Sequence, residues 1–167
     1  MNSSIELRRS IRKYNPGIAV TRDLLDQLVH AAMLAPSACN SRPWEFVVVT
    51  KREILDEIVR IHPYTQMLRT ATAAIIVVAT PQSGMPEGYY PQDCAAATEN
   101  ILIEATELGL GACWCGVYPK EDRMASISAL LDIPAPKIPF NVIAVGVPAE
   151  APAARGFFDA AKVRYVD

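Results

Sequence analysis

The chain has 167 residues, of which 51% are hydrophobic and 20% are charged, and its formal net charge is -2. This length fits one domain, which we expect to span residues 1–167. No apolar run approaches the roughly 18 residues of a membrane span, and an acidic chain with one small basic cluster argues against nucleic-acid binding. Apolar residues exceed charged ones by enough to suggest a subunit interface. The basic stretch near the start is not followed by the apolar stretch of an export signal, so we expect a cytoplasmic protein.

The first half of the chain predicts alternating helices and strands. Ser3, Ser4 and Thr21 are candidate helix caps. Apolar residues at helical spacing and short β-branched runs distinguish the two element types. In chain order we expect a short helix within 3–10, a helix over 22–35, a strand over 45–50, a helix at about 52–60 and a strand over 73–80.

The second half continues this alternation after a long loop. Residues 81–92 hold three Pro and two Gly, which predicts a loop long enough to be functional. We expect Asp93 to cap the longest helix and Gly109 to end it. A strand over 111–117, a helix near 120–130 and a strand over 140–147 follow. The continuous apolar strands predict an α/β or α+β sheet covered by helices on both faces.

A basic cluster, "RRSIRKY", occupies residues 8–14. On a helix, Arg8 and Arg12 would share a face beside Arg9 and Ser10. Two guanidinium groups and a hydroxyl can hold a phosphate by bidentate, charge-assisted hydrogen bonds. A solvated basic helix without a ligand is the competing interpretation of the same residues.

A second cluster, "LAPSACNSRPWEFVV" at residues 34–48, lies where a helix gives way to a strand. Ser37 and Asn40 could hydrogen-bond a planar heterocycle, and the small Ala38 would let the backbone approach it. The alternative is an ordinary helix-to-strand turn followed by a core tryptophan.

Metal, triad and phosphate-loop chemistry find no support in the sequence. The four cysteines form no CxxC pair, so we interpret them as buried free thiols of a reducing compartment. His30 and His62 lack a metal or triad pattern and are expected to be structural or exposed. Without an acid–base pair, redox chemistry would have to come from a bound cofactor.

Three motifs carry a resemblance that covers nearly the whole chain. "RRSIRKY", "APSACNSRPWEFVVV" and "AAATENILIEATELGLGACWCGVYP" resemble, in order and spacing, the FMN-dependent nitroreductase family and its short, single-domain members. The resemblance implies an α+β fold, with a central mixed sheet sandwiched by helices. It also implies a homodimer with two FMN sites, each lined by both subunits.

The resemblance further implies a set of cofactor-binding residues and no catalytic side chain. The residues of this set within 8–12 match family positions that contact the ribityl phosphate and the flavin edge. The residues within 36–40 match family positions that belong to the partner subunit and pack on the isoalloxazine ring. Cys115 and Gly116 match a segment whose backbone amides lie beside flavin N5 and O4. The complete set is Arg8, Arg9, Ser10, Arg12, Pro36, Ser37, Ala38, Asn40, Gln66, Cys115, Gly116 and Arg155, the last matching a basic residue that closes on the phosphate.

The chain departs from the family pattern at two of these positions. Gln66 stands where a lysine near the flavin pyrimidine is common. A lysine would stabilise the negative charge of reduced flavin, whereas glutamine offers a neutral donor. Flavin reduction is then less favourable, or another group compensates. Cys115 replaces a glutamate found in some members, with little expected effect because that contact is made by backbone.

The activity implied by the resemblance is a ping-pong oxidoreduction. NADH or NADPH delivers hydride to flavin N5 and departs, and an electron-poor nitroaromatic or quinone then takes its place. Two alternatives remain open at this stage. One is a specialised reductive dehalogenase, which would need a longer lid than residues 81–92 supply, and the other is an FMN-binding carrier or sensor without turnover.

Overall fold

A four-stranded sheet forms the middle layer of the protein, which we describe from a computed structural model covering residues 3–81, 88–154, 156 and 158–166. The sheet order is β1-β2-β4-β3. The strands are β1 (Trp44–Val49), β2 (Ala73–Ala79), β3 (Gly111–Gly116) and β4 (Ile138–Gly146). The helices are α1 (Ser4–Leu7), α2 (Arg22–Met33), α3 (Arg52–Ile61), α4 (Tyr90–Glu107) and α5 (Glu121–Leu130), with 3-10 turns at Ala38–Asn40, Gln66–Arg69 and Ala160–Lys162.

Strand pairing confirms the α+β class and corrects one detail of the expected mixed sheet. All three pairs of neighbouring strands are antiparallel. Within the described residues, parallel pairing is limited to an isolated bridge between Ser10 and Ala112. The continuous apolar strands reflect burial on both faces, a pattern that is common in parallel sheets but does not require parallel pairing.

Two apolar layers cover the sheet, and β2 shows how its residues divide between them. Alternate side chains of a strand point to opposite faces. Ala73, Ile75, Val77 and Ala79 pack in the layer that contains α2 and α4. The intervening Ala74, Ile76 and Val78 pack in the layer that contains α3 and α5. Every residue of β2 is therefore buried, which explains the unbroken apolar run.

The longest helix begins earlier than the sequence predicts. α4 starts at Tyr90, and Pro91 is accommodated in its first turn, where a missing backbone N–H costs nothing. Asp93 is therefore inside the helix and does not cap it. Its Oδ1 atom accepts a hydrogen bond of 3.0 Å from the backbone N–H of Ala38. The predicted end is confirmed, since Gly109 follows the helix with a φ of +69°. In the described residues no helix is both long and apolar enough to cross a membrane.

The basic cluster is not helical, which corrects the prediction of a shared helix face for Arg8 and Arg12. α1 is a single turn that ends at Leu7. Ser10 then bridges Ala112, and Tyr14 bridges Pro148. The backbone N–H of Ile11 donates to the Ala112 oxygen at 3.0 Å. An extended path gains these hydrogen bonds to the sheet and also buries the Ile11 and Tyr14 side chains.

Two glycines let the side chains of residues 10–14 pack directly against the backbones of β3 and β4. A Cβ atom at Gly111 would lie 2.8 Å from the Cγ2 atom of Ile11. A Cβ atom at Gly146 would lie 2.8 Å from the Cδ1 atom of Tyr14. Both distances are far inside van der Waals contact, so neither position accepts a side chain without moving the basic segment.

We expect Gly146→Ala to lower the free energy of unfolding by about 1–3 kcal/mol, the usual cost of overpacking. Gly17→Ala is the matched control, because nothing lies within 4 Å of the Cβ that it would add. Urea denaturation of both variants measures the difference. Equal unfolding midpoints for Gly146→Ala and the parent would contradict the close packing of Tyr14 on β4.

Candidate functional site

Arg12 lies where three surface concavities meet. The first, the basic concavity, has a volume of about 570 Å³ and is lined by the predicted residues Arg8, Arg9, Ser10 and Arg12. The second, the Gln66 concavity, has about 660 Å³ and contains Arg12 and Gln66. The third, the Gly116 concavity, has about 370 Å³ and contains Arg12, Cys115 and Gly116. The fold thus assembles seven of the twelve predicted residues around one guanidinium group.

The arginines of the basic concavity differ in their partners. The Nε atom of Arg8 lies 3.3 Å from a Glu99 carboxylate oxygen on α4. The Nε atom of Arg9 donates to the Ala153 oxygen at 3.0 Å. Arg12 donates only weakly to the Ser10 oxygen, at 3.3 Å, and the ion pairs of the described residues do not include it. Its positive charge is therefore the one most available to a ligand.

A carboxylate that sequence reasoning missed also lines the basic concavity. The Oε1 atom of Glu150 accepts hydrogen bonds from the backbone N–H groups of Arg12, at 2.6 Å, and Lys13, at 3.2 Å. These two amides are satisfied within the chain, so a second anion must be held mainly by side chains. No local motif signals this role, because Glu150 follows β4 and reaches residue 12 only through the fold. Arg155, the predicted phosphate contact near the C-terminus, lies outside the described residues.

The turn over residues 36–40 is ordered but lies apart from these concavities. Cys39, Asn40 and Arg42 adopt left-handed φ values of 53°, 52° and 49°, which non-glycine residues rarely adopt. Ser37 supports the turn, since its Oγ atom accepts the Arg42 N–H at 2.9 Å. Of the predicted residues in this turn, Pro36, Ser37, Ala38 and Asn40, none lines the three concavities.

The cysteine prediction holds for three of the four thiols. Cys94, Cys113 and Cys115 are buried and unpaired, whereas Cys39 is exposed because it lies in the left-handed turn. The Cys115 thiol donates to the Tyr64 oxygen at 3.3 Å. The neighbouring Cys113 thiol and burial raise the pKa of the Cys115 thiol above its ordinary value.

Gln66 has a cationic neighbour that the sequence analysis overlooked. The Oε1 atom of Gln66 accepts a hydrogen bond of 3.1 Å from Arg69 Nε. Both residues belong to one 3-10 turn and line the same concavity as Arg12. The spacing of three residues in "QMLR" is the signal that could have revealed this pair.

His62 connects the two walls of the Gly116 concavity. The ring is fully buried. Its Nδ1 atom accepts the backbone N–H of Tyr64 at 3.2 Å, so Nε2 carries the proton and donates to the Gly116 oxygen at 2.9 Å. The same oxygen accepts a hydrogen bond of 3.1 Å from Arg123 Nη1. The expected structural role of His62 is confirmed, and that role orients the backbone at the end of β3.

The nitroreductase family model matches residues 5–66 and 60–147. The chain belongs to the nitroreductase family. Over 156 residues the chain is 48% identical to a protein of Methanothermobacter thermautotrophicus that carries the provisional name NADH dehydrogenase/NAD(P)H nitroreductase. That match covers 93% of this chain and 81% of the relative. The resemblance found in the three sequence motifs is thereby confirmed, as is the expectation of an oxidoreductase of this family.

Solved structures share the fold of this chain over almost its whole length. The FMN-dependent nitroreductase of Clostridium difficile R20291 superposes with a TM-score of 0.90 at 30% identity, covering 100% of this chain and 99% of that one. A Desulfovibrio desulfuricans protein, provisionally named a nitroreductase and solved in complex with FMN, gives a TM-score of 0.83 at 26% identity, covering 98% and 95%.

We expect the stability of the protein to fall in mild acid because of His62. Burial lowers the pKa of this imidazole from its ordinary value of 6.5, and the positive charge of Arg123 lowers it further, against the opposing effect of the Gly116 hydrogen bond. The unfolded chain then binds more protons than the folded chain as the pH drops below about 6.5. The stabilisation is fully present above that pH and is lost below it, by at most about 1.4 kcal/mol per pH unit.

Urea denaturation of the parent and His62→Gln at about pH 7.5 and about pH 5.5 measures this contribution. The stability difference between the two proteins should be smaller at the lower pH. His30→Gln, at an exposed position on α2, is the control for the exchange of histidine for glutamine. If the free energies of unfolding of the parent and His62→Gln differ by the same amount at both pH values, His62 titrates alike in the folded and the unfolded chain.

Proposed function

We propose that this nitroreductase binds one FMN per chain and oxidises NADH or NADPH to reduce electron-poor acceptors such as nitroaromatics and quinones. The observation that carries the proposal is the position of Arg12. It borders all three concavities, which separately contain the residues expected at the phosphate, at the pyrimidine and beside N5.

The basic concavity suits a phosphate monoester. Three guanidinium groups and the Ser10 hydroxyl line it, and together they offer paired N–H donors for the phosphate oxygens. Glu150 already satisfies the two nearest amides, so the side chains of Arg8, Arg9 and Arg12 would supply the binding energy. The extended path of the segment supports this role, because Ile11 and Tyr14 are buried while Arg12 faces solvent.

The flavin ring would meet positive charge on its pyrimidine side. Gln66 stands where a lysine is common in the family, and Arg69, which is hydrogen-bonded to Gln66, would supply the positive charge that this lysine would otherwise provide to reduced flavin. When bound, FMN supplies the ring that accepts and returns hydride. The chain contributes binding, orientation and charge, and the backbone of Gly116 is held for this purpose by His62 and Arg123. His62 has both ring nitrogens occupied, so the proposal includes no side-chain acid or base.

A second subunit would complete each FMN site. The turn over 36–40 lies away from Arg12 in its own chain, and several of its residues are exposed. Exposed apolar side chains near the C-terminus give further reason for association, with Phe158 79%, Tyr165 78% and Val166 82% exposed. Both features support a homodimer in which the turn of one subunit reaches the cofactor of the other.

The central experiment measures FMN affinity and anaerobic flavin reduction in the same protein. We expect the parent to bind one FMN, which NADH or NADPH then reduces, and Arg12→Ala to bind it about ten- to a hundredfold more weakly through the loss of charge-assisted hydrogen bonds. Arg12→Lys should recover part of the affinity, because it keeps the charge but not the planar fork. Arg22→Ala, a substitution of an exposed arginine on α2, is the control.

The outcomes separate binding from turnover. Unchanged FMN affinity in Arg12→Ala would contradict the proposed site. FMN that binds normally but is reduced by neither nucleotide would leave a flavin carrier as the better interpretation.

Dimerisation and FMN binding should be linked. Sedimentation of the FMN-loaded protein over a dilution series should show a dimer that releases flavin as it dissociates, because a monomer contains only the Arg12 half of the site. A monomer that keeps full flavin occupancy would refute the shared site.

A further inference from the structure

The Gly116 concavity combines unneutralised positive charge with aromatic surface. Its volume is about 370 Å³. Its lining includes three cations and three aromatic rings, which are Arg12, Lys120, Arg123, Tyr64, Trp114 and Tyr118. Among the described lining residues there is no aspartate or glutamate.

The recorded partners of the Arg123 side chain are neutral. The Arg123 guanidinium carbon lies 5.1 Å from the centre of the Tyr64 ring, and its Nη1 atom donates to a backbone oxygen. Neither Lys120 nor Arg123 appears in an ion pair of the described residues. The nearby carboxylates of Glu121 and Asp122 are exposed at the start of α5 and do not line the concavity. The positive charge therefore remains available to a ligand.

We propose that Lys120 and Arg123 bind the anionic group of a flat aromatic acceptor, so that aromatic carboxylates are preferred substrates. The inference rests on the proposed function, because it names the acceptor class of the same site. Lys120 and Arg123 border the Gly116 concavity and neither of the other two. Their effect on the acceptor can thus be separated from the binding of the FMN phosphate.

The geometry suits a small aromatic acid. Arginine offers a planar pair of donors that matches a carboxylate, and contact with Tyr64 orders that fork before the ligand arrives. The Tyr64 side chain is 66% exposed, which leaves its ring available for stacking on an aromatic ligand. The volume is at the lower end of the range of about 300–1,000 Å³ for small-molecule sites, which suits a single-ring acid.

The test compares 4-nitrobenzoate with 4-nitrobenzamide, which has nearly the same shape but no charge. NAD(P)H supplies a hydride, which is two electrons and one proton, and solvent supplies one further proton. The nitro group is thereby reduced to the nitroso group, one oxygen leaves as water, and NAD(P)+ is released. In Lys120→Gln and in Arg123→Gln we expect the ratio of the two KM values, benzoate over amide, to rise about tenfold, the scale of one charge-assisted hydrogen bond. Arg123→Lys should recover part of this preference, and Arg22→Gln should retain the parental ratio.

A second readout does not depend on turnover. Trp114 lines the same concavity and is partly exposed, so 4-nitrobenzoate should quench its fluorescence on binding and the amide should do so more weakly. Arg123→Gln should raise the dissociation constant of the benzoate about tenfold. Failure of the parent to reduce either acceptor would defeat the proposed function, while this titration would still decide whether the anion site exists.

Three results would overturn the inference. The first is an equal change for benzoate and amide, because that indicates a general loss of structure. The second is a loss of FMN affinity in Lys120→Gln that is as large as the loss of benzoate affinity, because that would show that Lys120 binds the cofactor. The third is a change confined to the preference between NADPH and NADH, because that would show that Lys120 and Arg123 bind the additional phosphate of NADPH and not the acceptor.

Discussion

The close contact of residues 10–14 with the middle of the sheet is the constraint on which the candidate site depends. Gly111 and Gly146 have no side chains, so Ile11 and Tyr14 pack directly on the backbones of β3 and β4. Backbone hydrogen bonds at Ile11 and the bridges at both ends fix the direction of the segment. Ile11 and Tyr14 are buried, whereas Arg12 and Lys13 between them are exposed. The packing of the two apolar side chains therefore fixes the part of the backbone that presents Arg12 to solvent.

The sheet also decides which other groups meet Arg12. Residues 62–69 follow α3 and lie against the end of β3, because the buried His62 ring bonds both Tyr64 and Gly116. This brings the Gln66–Arg69 pair to one side of Arg12 and the backbone of Gly116 to another. The result is a surface rich in guanidinium groups on an acidic protein. Local positive charge of this kind attracts anionic ligands even when the net charge of the chain is negative.

The turn over residues 36–40 is held by side-chain hydrogen bonds in a strained conformation, whereas the Arg12 segment is held by packing on the sheet. Its left-handed residues cost conformational energy, which is offset by the hydrogen bonds that the Ser37 and Asp93 side chains accept from the backbone of the turn. A helix-to-strand connection does not need this strain, and the turn lines none of the three concavities described around Arg12. In the proposed dimer the same strain prepares an exposed backbone for contact with a ligand held by the other subunit.

The sequence by itself determined the identity and order of nearly every helix and strand, because the apolar periodicity and the caps act locally. It also determined the family, because the three motifs keep their order and spacing along the chain. The conformation of residues 8–14 could not be read in this way. Their composition permits a helix, and the extended path is favoured by hydrogen bonds to Ala112, Val147 and Ala149 and by the burial of Ile11 and Tyr14, all of which involve segments far away in the sequence. Arg69 meets Gln66 through a local spacing of three residues. Glu150 and His62, in contrast, joined the site through contacts between segments distant in sequence, which depend on how the layers pack, and a local pattern carries no record of that packing.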